Sequence, residues 1–301
     1  PNPESILGPL AAAIAPRTAA AAHGPIFLAT LAEAPDAAPG WLPLLRPLVR
    51  ELARRPEWAI GWIDRAGGDA TASPPPQDGR STDPEALFRA LADPPRLGEP
   101  GSSFIHPLLM QVDAEGVADH VLGPIVGPAA PTHPHPDQAA ARTVTRVAAL
   151  AMVRDDPANA PYGWTHCLTL PQAVLTLAPA ITRAGTEAPA ITRAGGHPLA
   201  VAATQVLALR AALASTTLDP EDELLIAADP STAAGRAETL VIEAARRHDA
   251  HIAKYILASL TAAHTDPDAS HLHLTAAEHL LSVWDDLGPD PDDRLQVDAV
   301  D

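Results

Sequence analysis

STAAGRAETLVIEAARRHDAHIAKYILASLTAA, residues 231–263, is the stretch on which the fold class turns. At about 100° per residue, Leu240, Val241, Ala244, His248, His251, Ile252 and Tyr255 share one face, whereas Glu238, Glu243, Arg246 and Asp249 project elsewhere. With Pro230-Ser231 as a start signal, the spacing predicts one long amphipathic helix from Ser231 to His264. His248 and His251 then fall near the middle of the face that packs inward, and Lys254 lies one turn further on, at its margin. Tyr255 reads as a core tyrosine, with contact to a substrate or ligand as the alternative, and Asp249 as a solvated helix residue, with support of a metal ligand as the alternative.

The rest of the 301-residue chain extends the helical reading. It is 47% hydrophobic but only 3% aromatic, so its apolar content is Ala, Leu, Val and Ile, a mixture whose best formers favour helix. That is enough to bury a sizeable core. The expectation is all-α: a single bundle-like domain of many helices over residues 1–301, with long Pro-rich loops. Helices are predicted on both sides of a break at His23 within Gly8–Ala34. Others are predicted over Trp41–Ile63, Pro84–Ala92, Asp137–Arg154, Leu168–Arg183, Pro198–Ser215 and Leu274–Leu287. Residues 66–80, with Pro74, Pro75 and Pro76, have the composition of a mobile loop. Residues 94–136 read as an irregular covering segment, ended by Pro124, Pro128, Pro131, Pro134 and Pro136. The unit APAITRAG occurs at 178–185 and again at 188–195; two copies do not build a solenoid and read as a duplication in a loop.

Charge and composition exclude several functions. A formal net charge of -17 without clustered Lys or Arg speaks against a nucleic-acid surface. No apolar run is long enough for a bilayer and no secretion signal is evident, so no membrane partner is expected. A single cysteine, Cys167, cannot form an internal disulfide framework, which makes a reducing cytoplasm the expected location. No Gly-rich nucleotide fingerprint is present.

Burying several ionisable groups together costs several kcal/mol unless they are paired or bind a metal. His248, His251 and Lys254 therefore need satisfying, either as core histidines bonded to carbonyls or as ligands on a helix face. HExxH spacing is absent, and one cysteine excludes thiolate zinc sites. Imidazole ligands suit iron, copper, nickel or zinc. Lys254 is also the only lysine among 20 basic residues. Either it is a stray survivor of a bias toward arginine codons, or its chemistry is one that arginine cannot supply.

The run Asp249-Ala250-His251-Ile252-Ala253-Lys254 resembles the D-x-H-x-x-K segment of questin oxidase-like proteins. Ala22-His23-Gly24-Pro25-Ile26, after Leu7-Gly8-Pro9-Leu10, resembles that family's H-G-x-I segment. Thr165-His166-Cys167-Leu168-Thr169, continuing to Val174, resembles its H-x-[VL]-T segment. The three occur in the family's order and frame residues 7 to about 286.

The resemblance implies a helical non-heme iron oxygenase acting on an aromatic or quinonoid, polyketide-like small molecule and O2. It implies Fe(II) held by His23, His166, His251 and a carbamate formed from CO2 on Lys254, with His251 and Lys254 at the centre of the chemistry. His248 is the choice for a fourth imidazole, with His106 competing, and NADPH is a candidate external reductant. A neutral lysine can add CO2 and become an anionic oxygen ligand; arginine cannot. The family's arginine after H-G-x-I is missing, since Phe27, Leu28 and Ala29 follow.

Two other readings compete. The His248-Asp249 dipeptide matches HD-type metal-dependent phosphohydrolases, although the two residues point about 100° apart on one helix. A non-catalytic helical binding module with structural histidines is the other. Trp164 is expected to pack the helix entrance, His133 and His135 to be exposed in a loop, and His271, His273 and His279 to belong to the last helical region, with His271 and His273 in a capping turn.

Overall fold

A computed structural model describes residues 3–17, 23–33, 60–66, 82–98, 105–126, 137–187, 197–226, 233–247 and 249–287. Those residues form helices and no strand, so the fold is all-α. In chain order the helices are α1 (Pro3–Ile14), α2 (His23–Glu33), α3 (Trp62–Ala66), α4 (Pro84–Ala92), α5 (Ile105–Ala114), α6 (Val117–Val126) and α7 (Gln138–Arg154). There follow α8 (Pro161–Glu187), α9 (Pro198–Leu213), α10 (Pro220–Leu225), α11 (Ala233–Arg247), α12 (Ala250–Thr265) and α13 (Ser270–Leu287). Short 3-10 turns at Pro157–Asn159 and Pro267–Ala269 lead into α8 and α13.

Five aspartates start helical segments. Asp83, Asp137, Asp156, Asp219 and Asp249 each stand just before a helical segment and accept a hydrogen bond from a backbone N–H two residues on. A carboxylate there satisfies one of the orphan donors of the first turn and meets the positive end of the helix dipole. Three of these caps are followed by proline, whose missing N–H costs nothing at the first helical position.

The same device overturns the single helix expected over 231–264. Asp249 has an extended backbone (φ -103°, ψ 125°), and its Oδ1 accepts from the backbone N–H of His251 at 2.6 Å and of Ile252 at 3.4 Å. Aspartate competes for backbone donors in this way, so α11 ends at Arg247 and α12 begins at Ala250. The shared face is broken with it. Leu240 and Ala244 pack inward, but Val241 and Ile242 are 51% and 45% exposed.

Two further expectations are corrected. The segment 94–136 is not irregular throughout, because α5 and α6 lie within it and Pro124 sits inside α6. α8 begins at Pro161, well before Leu168, and runs through Pro171 and Pro179 to Glu187. Hence the first copy of APAITRAG is helical, and the second lies outside the described residues. The helix expected over Trp41–Ile63 falls mostly outside them too, as do the loop at 66–80 and His133 and His135.

α8 is the axis of the molecule. It packs against α1, α2, α7, α9 and α12, and it buries Trp164, Cys167, Leu168, Leu170, Val174, Leu177 and Ile181. α9 is buried on almost every side from Pro198 to Ala211, which is why its sequence shows no polar face. α13 begins at Ser270, so His271 and His273 lie within a helix instead of a capping turn. No helix among the described residues is long and apolar enough to cross a membrane.

Candidate metal centre

Three of the histidines singled out by motif come together from distant parts of the chain. His23 opens α2, His166 sits in the second turn of α8, and His251 in the first turn of α12. Each offers a ring nitrogen, and these three atoms lie within 4.8 Å of one another. The His23 and His166 Nε2 atoms are 3.3 Å apart. Two nitrogens bound to one first-row metal at about 2.0–2.1 Å, at tetrahedral to octahedral angles, are separated by about 3–3.4 Å. The spacing fits a shared ion.

Two of the rings are held from behind. The His166 Nδ1 donates to the Tyr162 carbonyl at 2.6 Å, one turn back on α8. A carbonyl only accepts, so the proton is on Nδ1 and the Nε2 lone pair faces His23. The His251 Nδ1 is 3.4 Å from the Asp249 carboxylate. The Tyr162 ring meets the His251 ring edge-on at 4.4 Å and rests in turn against Trp284 at 5.5 Å. Tyr162 thus supports two histidines, one through its carbonyl and one through its ring.

Burial keeps two of the rings, His23 and His166, uncharged. Burial, then the charges of Lys254, His166 and His251, lower the His23 pKa to about 3. Burial, opposed by the bond to the Tyr162 carbonyl, lowers that of His166 to about 4. Burial also lowers the Lys254 pKa, with Asp249 opposing. At Asp249 burial pushes the carboxyl upward, but the bonds from the His251 ring and backbone outweigh it and hold the pKa below its ordinary value. The His166 Nε2 accepts from His23 Nε2–H when the His23 proton is on that nitrogen, and with the proton on Nδ1 both Nε2 lone pairs are available, the state in which imidazoles bind a divalent transition metal.

Lys254 stands one turn beyond His251 on α12, half-buried in the wall of a cleft between α2, α8 and α12. His248 lies outside the described residues. His106 is half-buried on α5, which packs on α6 and α9, and does not join the three histidines. Asp249 is a cap aimed at His251, not a solvated helix residue. Tyr255 is fully buried, as expected of a core tyrosine, and its hydroxyl finds no partner. Trp164 is buried in the first turn of α8.

Sequence reasoning missed Tyr162, and for Asp249 it preferred a solvated position to a supporting role behind a metal ligand. Tyr162 was legible only from its place four residues before His166, which requires knowing that α8 starts at Pro161. Asp249 carried a readable signal: it precedes a helical run in the manner of Asp83 and Asp219. No family model matches the chain, and neither the curated proteins nor the solved structures include a match.

Proposed function

We propose that the chain is a metal-dependent oxygenase of small electron-rich molecules, with iron as the metal and His23, His166 and His251 as its imidazole ligands. The carrying observation is the convergence of three ring nitrogens, from three helices, within 4.8 Å of one another. Three imidazoles leave coordination positions open, as catalytic sites need and closed structural sites lack. Iron bound there would supply O2 activation; the aromatic or quinonoid substrate is what the resemblance to questin oxidase-like proteins implies.

Lys254 fits the role of an anionic fourth ligand. Its amine would attack CO2, forming an N–C bond as one C=O electron pair moves to oxygen and a proton leaves to solvent. The resulting carbamate would offset part of the charge that three neutral imidazoles leave uncompensated. Asp249 and Tyr162 hold the His251 and His166 rings in place, and carboxylate or carbonyl partners of this kind fix tautomer and orientation around metals. The HD-type phosphohydrolase reading loses support from the same geometry, because the Asp249 carboxylate is committed to the start of α12.

The test is metal binding followed by oxygen uptake. Purified chain loaded anaerobically with Fe(II) in bicarbonate should retain about one iron per chain. The His251→Ala variant should lose it, and Lys254→Arg should lose the dependence of retention on bicarbonate. Iron-loaded protein should consume O2 with phenolic substrates. Equal iron in wild type and His251→Ala would leave a helical binding module with structural histidines as the surviving reading.

A further inference from the structure

The cleft beside Lys254 begins one helical turn from the three histidines. Ile26, Thr169 and Lys254 line it, and they stand three residues after His23, His166 and His251 respectively. Three residues of helix advance by about 5 Å, so the cleft borders the candidate centre on all three helices at once. Lys254 belongs to both places: it lines the cleft, and its charge acts on the His23 and His166 rings. The wall runs from buried Ile26, Ala29, Ala173 and Ala258 to exposed Thr30 and Leu257, so the cleft joins solvent to the interior.

Size and wall chemistry decide what can use it. The cavity measures about 30 Å3, and a water-sized particle occupies roughly 10–15 Å3, so two or three atoms of that size fit and an aromatic ring does not. Ala29, Ala173 and Ala258, one from each helix, leave this space open, and Ile26 and Leu257 extend the apolar wall. Thr30 and Thr169 turn their hydroxyl protons to the carbonyls of Ile26 and Thr165, each at 2.9 Å, and Gln172 donates to the Thr176 hydroxyl at 3.3 Å. These polar groups bond within their own helices and bridge nothing across the cleft. An ordered water needs two to four polar partners, whereas an uncharged apolar gas needs none.

We infer that this three-helix cleft is the entry path and holding site of O2, which passes the three alanines and reaches the histidines beside Lys254, while the ring-bearing substrate approaches the centre from another side. Two atoms without charge or dipole match both the volume and the wall. The inference rests on the proposed oxygenase reading for the use made of the gas. Occupancy of the cleft itself needs no metal. A larger side chain in place of one of the alanines closes the path without touching a histidine.

Dissolved O2 is paramagnetic and speeds the relaxation of protons it approaches, so methyl NMR of the metal-free full chain under O2 and under argon reads its position. The buried Ala29, Ala173 and Ala258 methyls should gain about threefold or more relaxation over those of Ala202 and Ala208, equally buried on α9 and away from the cleft. Ala173→Leu fills the cleft and should abolish the gain at Ala29 and Ala258; Ala258→Val, a smaller insertion, should reduce the gain at Ala29 and Ala173. Both variants should retain iron to within about twofold of wild type, and in iron-loaded chain Ala173→Leu should raise KM for O2 about threefold to tenfold with KM for the phenolic substrate unchanged. Equal relaxation of cleft and α9 methyls, or a gain that survives both substitutions, would overturn the assignment. Xenon held in the cleft of a pressurised crystal without relaxation by O2 would give the space to a diamagnetic gas such as CO2 and overturn it as well. The specific gain in a chain that retains no iron would remove the oxygenase reading and leave the cleft assignment standing.

Discussion

Two buried polar centres in this molecule solve the same problem in opposite ways. Asp155 and Arg210 are both fully buried and joined at 2.6 Å. The second Asp155 oxygen accepts from the backbone N–H groups of Ser215 at 2.7 Å and Thr216 at 2.9 Å, and from both of their hydroxyls. Arg210 donates its remaining bonds to the carbonyls of Leu91, Ala92 and Thr216. Donors meet acceptors throughout, and the ends of α4, α7 and α9 are tied together. At His23, His166 and His251 three ring nitrogens converge, with a single 3.3 Å contact between His23 and His166 to join them. The first arrangement is complete as protein alone; the second is a group of residues that could hold a metal ion.

The largest effect should come from breaking the complete centre. Asp155→Ala leaves the Arg210 guanidinium charged and unpaired in the core, and removing one partner of such a pair costs about 3–5 kcal/mol. Chemical denaturation of the metal-free protein measures this directly. A loss under about 1 kcal/mol would mean that water reaches Arg210 and that the centre is not closed. Metal binding by the folded fraction should be unchanged.

His273 sharpens the comparison from another side, as a fully buried histidine whose two ring nitrogens have no partner. Burial lowers its pKa to about 4, with Asp266 opposing and Arg146 and His271 adding to the shift. The folded state therefore binds this proton less well than the unfolded chain does. Its contribution to stability is full above about pH 6.5 and is lost as pH falls toward 4. The stability gap between wild type and His273→Leu should move by about 3 kcal/mol in favour of the variant between pH 7 and pH 4. A gap that stays constant with pH would show that the ring binds its proton equally well in the folded and unfolded chain.

His166→Ala should do the reverse of Asp155→Ala. It removes a buried ring and its bond to the Tyr162 carbonyl, so stability without metal should fall by about 1–3 kcal/mol, less than for Asp155→Ala, while metal affinity falls by about a hundredfold or more. The readouts are metal content after dialysis and the thermal shift on adding Fe(II) or Zn(II), since a ligand bound only by the folded state raises its stability. A thermal shift in the variant equal to that of wild type would remove His166 from the site.

The contrast also explains which parts were legible in the sequence. Helices with clear amphipathic spacing and an acidic cap, such as Pro84–Ala92 after Asp83, follow from local rules alone. The register of His23, His166 and His251 does not, because it depends on α2 and α12 packing against α8 across long stretches of chain. Short motifs singled those three out, but geometry could not. The misreading of 231–264 as one helix has a physical source: periodicity on both sides of Asp249 stays in phase, whereas one side-chain cap decides that the helix stops. Arg210 and Asp155 passed unnoticed because nothing local marks an arginine in α9 as buried; apart from Thr216, its partners lie 55 to 119 residues away.

Asp249 joins the two kinds of centre, since its carboxylate is both a cap, satisfied by the His251 and Ile252 N–H groups, and the neighbour of the His251 ring. Asp249→Asn separates these duties. Asparagine caps a helix about as well as aspartate, so the start of α12 and the overall stability should hold to within about 1 kcal/mol. The amide carries no charge to favour the His251 Nδ1 proton, and loss of such a partner weakens metal binding about tenfold to a hundredfold. The lower end of that range applies here, because the 3.4 Å separation is long for a charge-assisted bond. Calorimetric titration with Zn(II) reads the affinity independently of iron chemistry. A tenfold loss at unchanged stability would assign Asp249 to the orientation of His251. Unchanged affinity would make it a cap and nothing more, leaving the Tyr162 ring as the support that holds His251 toward its partners.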